Sequence, residues 1–240
     1  MKSNSIYGLL LATVFIVSSC DTESINASDT IASREFSFSG YEALQLSGDF
    51  NAFVQFSDTE ERIEIQANDN IQDRIRISQE GSTLRIGLEN NVTVRGNVTL
   101  NVFITTSNIS RYRLTEDSSV ELQNLLATET ITLEALGDSS FFGEVNTSNF
   151  IVELSGDSSM DVFGTANNLN ARLNGDSTLR DFDLDVEDLI IDLSGDSDAF
   201  LTVENTIDLE ASGDSALNFS GGATIIRQRL TGDSRINRRD

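Results

Sequence analysis

The triplet Gly-Asp-Ser begins at Gly137, Gly156, Gly175, Gly195, Gly213 and Gly232, at intervals of 19, 19, 20, 18 and 19 residues. This period constrains the fold more than any other feature. A unit so short cannot enclose a core of its own and must bury its apolar side against neighbouring units. A weaker copy, Glu116-Asp117-Ser118, lies 21 residues before the first, and Gly48-Asp49-Phe50 stands alone much earlier. Around each triplet the residues alternate with period two. Six, four and two residues before the glycines stand Phe150, Val152, Leu154; Leu169, Ala171, Leu173; Leu189, Ile191, Leu193; and Ile207, Leu209, Ala211. Four residues after the glycines come Phe141, Met160, Leu179, Ala199, Leu217 and Ile236. The intervening Glu153, Arg172, Asp192 and Glu210 are charged and belong in water. Apolar residues at i, i+2 and i+4 fit strands with one buried face and fit a helix poorly.

These patterns predict an all-β chain folded as a right-handed parallel β-helix, a solenoid with about 19 residues per coil, each coil climbing about 4.8 Å. Equivalent positions then stack into ladders. Three residues before the glycines the column runs Glu134, Glu153, Arg172, Asp192, Glu210, Arg229, so Arg172 falls between two acids and Arg229 on Glu210. Opposite charges on neighbouring strands contribute roughly 0.2–1 kcal/mol per pair, which supports the register independently of the apolar pattern. From 34 to 115 the chain is strand-rich but irregular. Leu44, Leu46, Gly48, Phe50, Ala52, Val54 and Phe56 alternate as a coil would, whereas Ile63 and Ile65, Ile75 and Ile77, and Leu84, Ile86 and Leu88 mark shorter strands. The expected organisation is one domain over 34–240, with an N-terminal β region at 34–115 that caps the solenoid and regular coils at 116–240.

The N-terminus points to export. Ile6 to Val17 is a mostly apolar run too short to span a bilayer as a mature helix, and it leads through Val17-Ser18-Ser19 to Cys20, the only cysteine. The segment 1–19 is expected to be a lipoprotein signal peptide, with Cys20 lipidated as the mature N-terminus and the protein held at a membrane by lipid. The small, polar, acidic segment 20–33 is expected to be a flexible tether. Cleavage would remove Lys2 and leave 15 Arg as the only side-chain cations.

At this point the residues resemble a known family. The run F-S-F-S-G-Y-E-A-L-Q-L-S-G-D-F-N-A-F-V-Q-F, then R-I-E-I-Q-A-N-D-N-I-Q-D-R-I-R-I-S-Q-E-G-S-T-L-R-I-G-L, then repeated L-S-G-D-S, is similar to the "putative auto-transporter adhesin, head GIN domain" family of bacterial surface and periplasmic proteins. The resemblance covers about Arg34 to Arg235. It implies a right-handed β-helix, often a lipoprotein, with no catalytic residues to carry over. The corner here is mostly S-G-D-S or N-G-D-S, where the family commonly has G-S-G-D.

Composition narrows the chemistry. The formal net charge is −23, with no His. A nucleic-acid partner is excluded by repulsion, and catalysis through an imidazole is excluded outright. Candidate chemistry gathers on the column Asp138, Asp157, Asp176, Asp196, Asp214 and Asp233. Each carboxylate is expected to accept backbone N–H bonds at its own corner. The alternative is Ca²⁺ held between coils by a row of hard oxygen ligands; otherwise no cofactor is expected. Ser139, Ser158, Ser177, Ser197, Ser215 and Ser234 share the inward parity and are expected to form a ladder with hydroxyls bonded to backbone. Arg227, Arg229, Arg235, Arg238 and Arg239 make the C-terminal end basic, either as charge pairs within the last coil, with Arg227 over Asp208, or as a docking patch for an acidic glycan, a lipid head group or another subunit. The expected function is that of a non-catalytic cell-envelope lipoprotein, adhesin-like, with a glycan or surface protein as partner. The alternatives are a polysaccharide-acting enzyme and a purely structural envelope protein.

Overall fold

The computed structural model of the chain describes residues 23–180 and 182–239. Cys20 and the segment 1–19 lie outside the described residues. The strands of the first half are β1 (Glu23–Asn26), β2 (Ile31–Phe36), β3 (Ala43–Ser47), β4 (Asn51–Phe56), β5 (Arg62–Asn68), β6 (Ile75–Glu80), β7 (Thr83–Leu88), β8 (Val92–Arg95), β9 (Leu100–Thr106), β10 (Arg111–Thr115) and β11 (Ser119–Leu122). The second half holds β12 (Leu126–Gly137), β13 (Ser140–Gly156), β14 (Ser159–Gly175), β15 (Thr178–Arg180), β16 (Leu184–Gly195), β17 (Asp198–Ala211), β18 (Ala216–Ser220), β19 (Thr224–Leu230) and β20 (Arg235–Arg238). No α-helix occurs among the described residues. The chain is a β-solenoid of about 7 turns spaced about 19 residues apart.

Parallel pairing builds the ladders that the alternation predicts. Before the corners, Leu44 of β3 pairs with Tyr112 of β10, which pairs with Leu133 of β12, and the column continues through Val152, Ala171, Ile191 and Leu209. All of these are buried to 2% exposure or less. After the corners, Val120, Phe141, Met160, Leu179, Ala199 and Leu217 form the matching column, also buried. Burying each Val, Leu, Ile, Phe or Met of these columns stabilises the fold by about 1.5–3 kcal/mol, which is why one apolar face per coil suffices to set the register.

The two departures from a 19-residue period are absorbed away from the corners. Between Gly175 and Gly195 the extra residue enters after Arg180: Asp161 pairs with Arg180, but Gly164 pairs with Leu184. The short interval before Gly213 arises in the same stretch: Leu179 pairs with Ala199, twenty residues on, but Asp185 pairs with Thr202, seventeen on, and the bulge between Val186 and Asp188 restores one residue. The corner itself does not vary. Gly156 has φ +83°, and a Cβ there would lie 2.9 Å from the carbonyl oxygen of Gly137 in the coil before. Glu116 occupies the same conformation with φ +66°, so the weaker copy in the sequence is a true corner. It joins β10 to β11, and the expected boundary at 115/116 therefore falls inside a coil.

The N-terminal region is a coil stack threaded out of order. β3 and β4 form a coil that lies between β10–β11 on one side and β7 and β9 on the other. Outside that, antiparallel strands close the end: β5 runs against β9, β6 against β7, and β2 against β5. Ile63, Ile65 and Ala67 of β5 are buried beneath this cap.

The expected tether is corrected by the structure over residues 23–33. β1 pairs in parallel with β8, and β2 pairs with β5 from Ile31↔Asn68 to Phe36↔Ile63. The order comes from the partner, not from the segment. Buried Asn68 donates to the carbonyls of Ser28 (2.6 Å) and Asn97 (3.1 Å) and accepts from the Thr99 amide (2.8 Å). Asn70 accepts from the Ser28 amide and donates to the Asn26 carbonyl, and Arg74 pairs with Glu23 at 2.7 Å.

At the other end the inward column turns polar. Gln228 follows Leu209, and Arg238 follows Phe219, with its guanidinium 5.7 Å from that ring and donating to the Gly221 carbonyl.

Candidate functional site

The corners hold the residues that the repeat singles out. Ser118, Ser139, Ser158, Ser177, Ser197 and Ser215 are fully buried, as their parity predicts, and they service the turn. Ser158 Oγ donates to the Ser155 carbonyl (3.1 Å) and accepts from the Ser155 amide (3.0 Å), and it also lies 3.1 Å from the Ala135 carbonyl of the preceding coil. Ser139, Ser177, Ser215 and Ser234 donate in the same way to the carbonyls three residues back, at 2.8, 3.0, 2.9 and 2.9 Å.

This overturns the expectation that the aspartates cap their own corners. Asp138, Asp157, Asp176, Asp196, Asp214 and Asp233 are exposed, and their carboxylates accept no hydrogen bond among the described residues. What each contributes to the corner is its backbone: the amides of Asp138, Asp176, Asp196, Asp214 and Asp233 donate to the corner carbonyl of the coil before, at 2.9–3.0 Å. A hydroxyl one residue later reaches the turn carbonyl from inside, where water does not compete, and this leaves the carboxylate in solvent. The six carboxylates stand one per coil in single file, and among the described residues no three acidic or cysteine side chains gather into a group that could hold a metal ion.

The five arginines divide into two sets. Arg227 and Arg229 lie on the ladder before the corners, over Asp208 and Glu210, with hydrogen bonds of 2.6 and 3.1 Å. The bond to Asp208 raises the Arg227 pKa, and the charge of that carboxylate adds to it. The column of Arg229 also pairs Arg172 with Asp192 at 3.5 Å and Arg113 with Glu134. Arg235, Arg238 and Arg239 belong to the face after the corners. Arg238 closes the core end as described above, and Arg235 and Arg239 point outward.

That outward face carries a feature the sequence reading missed. Phe142 and Phe163 approach with ring centroids 5.9 Å apart, and Phe182 and Phe200 do so at 5.9 Å in an edge-on arrangement. The Arg239 guanidinium lies 5.0 Å from the Phe182 ring. Thr178, Arg180, Phe182, Asp198 and Phe200 line an open cleft of about 380 Å³. Asp198 in this cleft has its pKa raised, first by loss of solvent, with Asp196 adding to the effect and Arg235 opposing it. The signal was present in the sequence: Phe142 and Phe200 directly follow inward residues, and a phenylalanine at outward parity on successive coils has no packing reason to recur.

Inside the solenoid, burial pushes Tyr112 well above its usual pKa and Tyr41 up to about 12, and the Tyr112 ring meets Phe141 edge-on at 5.0 Å. Both hydroxyls face the core and not a cleft, so they belong to packing.

Solved structures share this architecture. A "putative adhesin" of Bacteroides fragilis superposes with a TM-score of 0.80 at 18% identity, covering 89% of this chain and 98% of that one. A "putative adhesin" of Parabacteroides merdae gives 0.73 at 12% identity over 90% and 99%, and a "putative lipid binding protein" of Parabacteroides distasonis gives 0.69 at 15% over 91% and 100%. At such identities the likeness concerns the fold. Comparison with curated proteins returns no match. Residues 40–223 match the model of the family described as "Putative auto-transporter adhesin, head GIN domain", and the chain belongs to that family.

Proposed function

We propose that the chain is a non-catalytic, adhesin-like binding protein of the cell envelope, carried at the membrane by a lipid on Cys20. One observation carries the reading: the coils repeat the same side chains in the same columns, so the surface consists of long ladders, and its carboxylates at the corners stand in like, solvated positions. Glycoside hydrolysis needs two carboxylates held together in unlike environments, whereas a ladder offers an extended surface along which a polymer or a partner's face can bind at many points. The family description and two of the structural neighbours support an adhesin-like role, and the "lipid binding" description of a third shows that the same fold bears more than one name.

The test is a glycan array read alongside an activity screen on acidic polysaccharides, using the mature chain. Binding without the appearance of new chain ends is expected; turnover of any polysaccharide would replace this reading with an enzymatic one. In cells, Cys20→Ala should move the protein to the soluble fraction, and its persistence at the membrane would overturn the anchor.

A further inference from the structure

We propose that the outer face following the corners, toward the C-terminal end of the solenoid, binds a carboxylated polysaccharide; this rests on the adhesin-like reading and gives it a ligand class and a place. Phe142, Phe163, Phe182 and Phe200 supply one ring on each of successive coils, because Phe142 pairs with Asp161, Phe163 follows two residues later, Asp161 pairs with Arg180, and Leu179 pairs with Ala199. Coils repeat at about 4.8 Å, close to the length of one hexose in a chain, so a polysaccharide laid along the solenoid axis meets the pair Phe142–Phe163 and then the pair Phe182–Phe200. Phe142 is 44% exposed and the others are half-buried, so each ring keeps surface that a ligand can cover.

Charge selects the kind of sugar. The chain as a whole carries 39 acidic side chains against 16 cations, and a polyanion is repelled by most of it. Residues 224–239 reverse the balance, with Arg227, Arg229, Arg235, Arg238 and Arg239 against Asp233 alone. Arg227 and Arg229 are engaged by Asp208 and Glu210 on another face, and Arg238 closes the core. Arg180, Arg235 and Arg239 stand on the aromatic face, where Asp198 is the acid of the cleft and is faced by Arg235. The planar guanidinium fork matches a carboxylate with two parallel hydrogen bonds and stacks on an aromatic ring, as Arg239 does on Phe182. Asn218 and Asn237, hydrogen-bonded to each other at 2.9 Å on the same face, add donors and acceptors suited to sugar hydroxyls.

Binding of the mature chain to polygalacturonate, to its methyl ester and to phosphatidylglycerol vesicles, each at low and physiological salt, tests this. The acid form should bind and weaken with salt, and the ester, which keeps the rings and loses the charge, should bind at least about tenfold more weakly. Phe200→Ala and Arg239→Gln should each weaken binding about tenfold, while Arg227→Gln, on the ion-paired face, should leave it unchanged, with melting curves confirming that each variant folds. Equal binding of acid and ester, preference for the vesicles, or indifference to Phe200→Ala would overturn the site. Binding to neutral glycans without binding to polygalacturonate would overturn it and leave the adhesin-like reading standing, whereas an absence of binding across the whole array would remove both.

Discussion

The coil formed by β3 and β4 and the coil formed by the second half of β13 and the first half of β14 bury the same columns and turn through the same left-handed corner, at Gly48 and at Gly156. They differ in how their neighbours are supplied. The coil at Gly156 stacks on chain that comes immediately before and after it. The coil at Gly48 is covered on one side by residues 83–106 and on the other by residues 111–122, and its end is sealed by antiparallel strands. The lesson is that the same columns and the same left-handed turn, with Phe50 at the inward corner position that Ser158 holds in the repeat, support two modes of assembly: a repeat that needs only its own copies, and a cap that depends on single, unrepeated side chains.

The sharpest way to break the comparison is to charge the shared core. Leu193→Asp places an unpaired carboxylate among fully buried neighbours and should cost several kcal/mol, whereas Asp192→Asn on the same strand, facing out, should cost well under 1 kcal/mol. Thermal or denaturant melts distinguish them, and equal effects would mean that the assigned faces are wrong. Next, Asn68→Ala removes three hydrogen bonds to backbone groups that no other residue serves, leaving the Ser28 and Asn97 carbonyls and the Thr99 amide unpaired. The expected cost is about 2–3 kcal/mol, with hydrogen exchange accelerated in β1 and β2 and unchanged in β14 to β17. Uniform acceleration would show that the cap and the repeats unfold as one unit.

Within the repeats, Ser158→Ala should destabilise by about 1–2 kcal/mol, since it strips the corner of its buried donor and leaves the Ser155 amide unpaired, while Asp157→Asn should cost only a few tenths. The reverse ranking would return the corner to the carboxylate. The smallest effect concerns pH. The Asp198 pKa is raised by folding, so between its unfolded and folded values the native state binds more protons than the unfolded state, and stability contributed by this group rises as pH falls through the folded value. Asp198→Asn should therefore stabilise slightly at neutral pH and abolish that part of the acid-side gain. A variant whose stability tracks the parent's across this range would disprove the shift.

These contrasts also show what could be read in advance. The columns through Val152 and Phe141 and the ion pairs of Arg172, Arg227 and Arg229 follow from period and parity alone, because a parallel stack converts sequence offset directly into contact. Asparagine at 68 could not be read, since nothing local shows that it will bond to residues 40 and 31 positions away. Residues 23–33 looked like a tether for the same reason: a polar edge strand has no period of its own, and its order is lent by β5 and β8. The corner was located correctly but assigned to the wrong side chain, because Asp and Ser both suit turns and only their direction, out or in, separates them. The aromatic face went unread since attention to inward parity treats outward positions as solvent.

The threading of β3 and β4 sets the timing of folding. During synthesis from the N-terminus these strands emerge before either of their neighbours, and one edge stays open until about residue 106 and the other until about residue 122 is available. The later coils can each dock on the one just made, but the earliest coil must wait for two separate loop closures. A chaperone that shields exposed strand edges would therefore matter most for the first part of the chain to be made, and truncations that remove residues 111–122 should leave an aggregation-prone remnant and not a shorter solenoid.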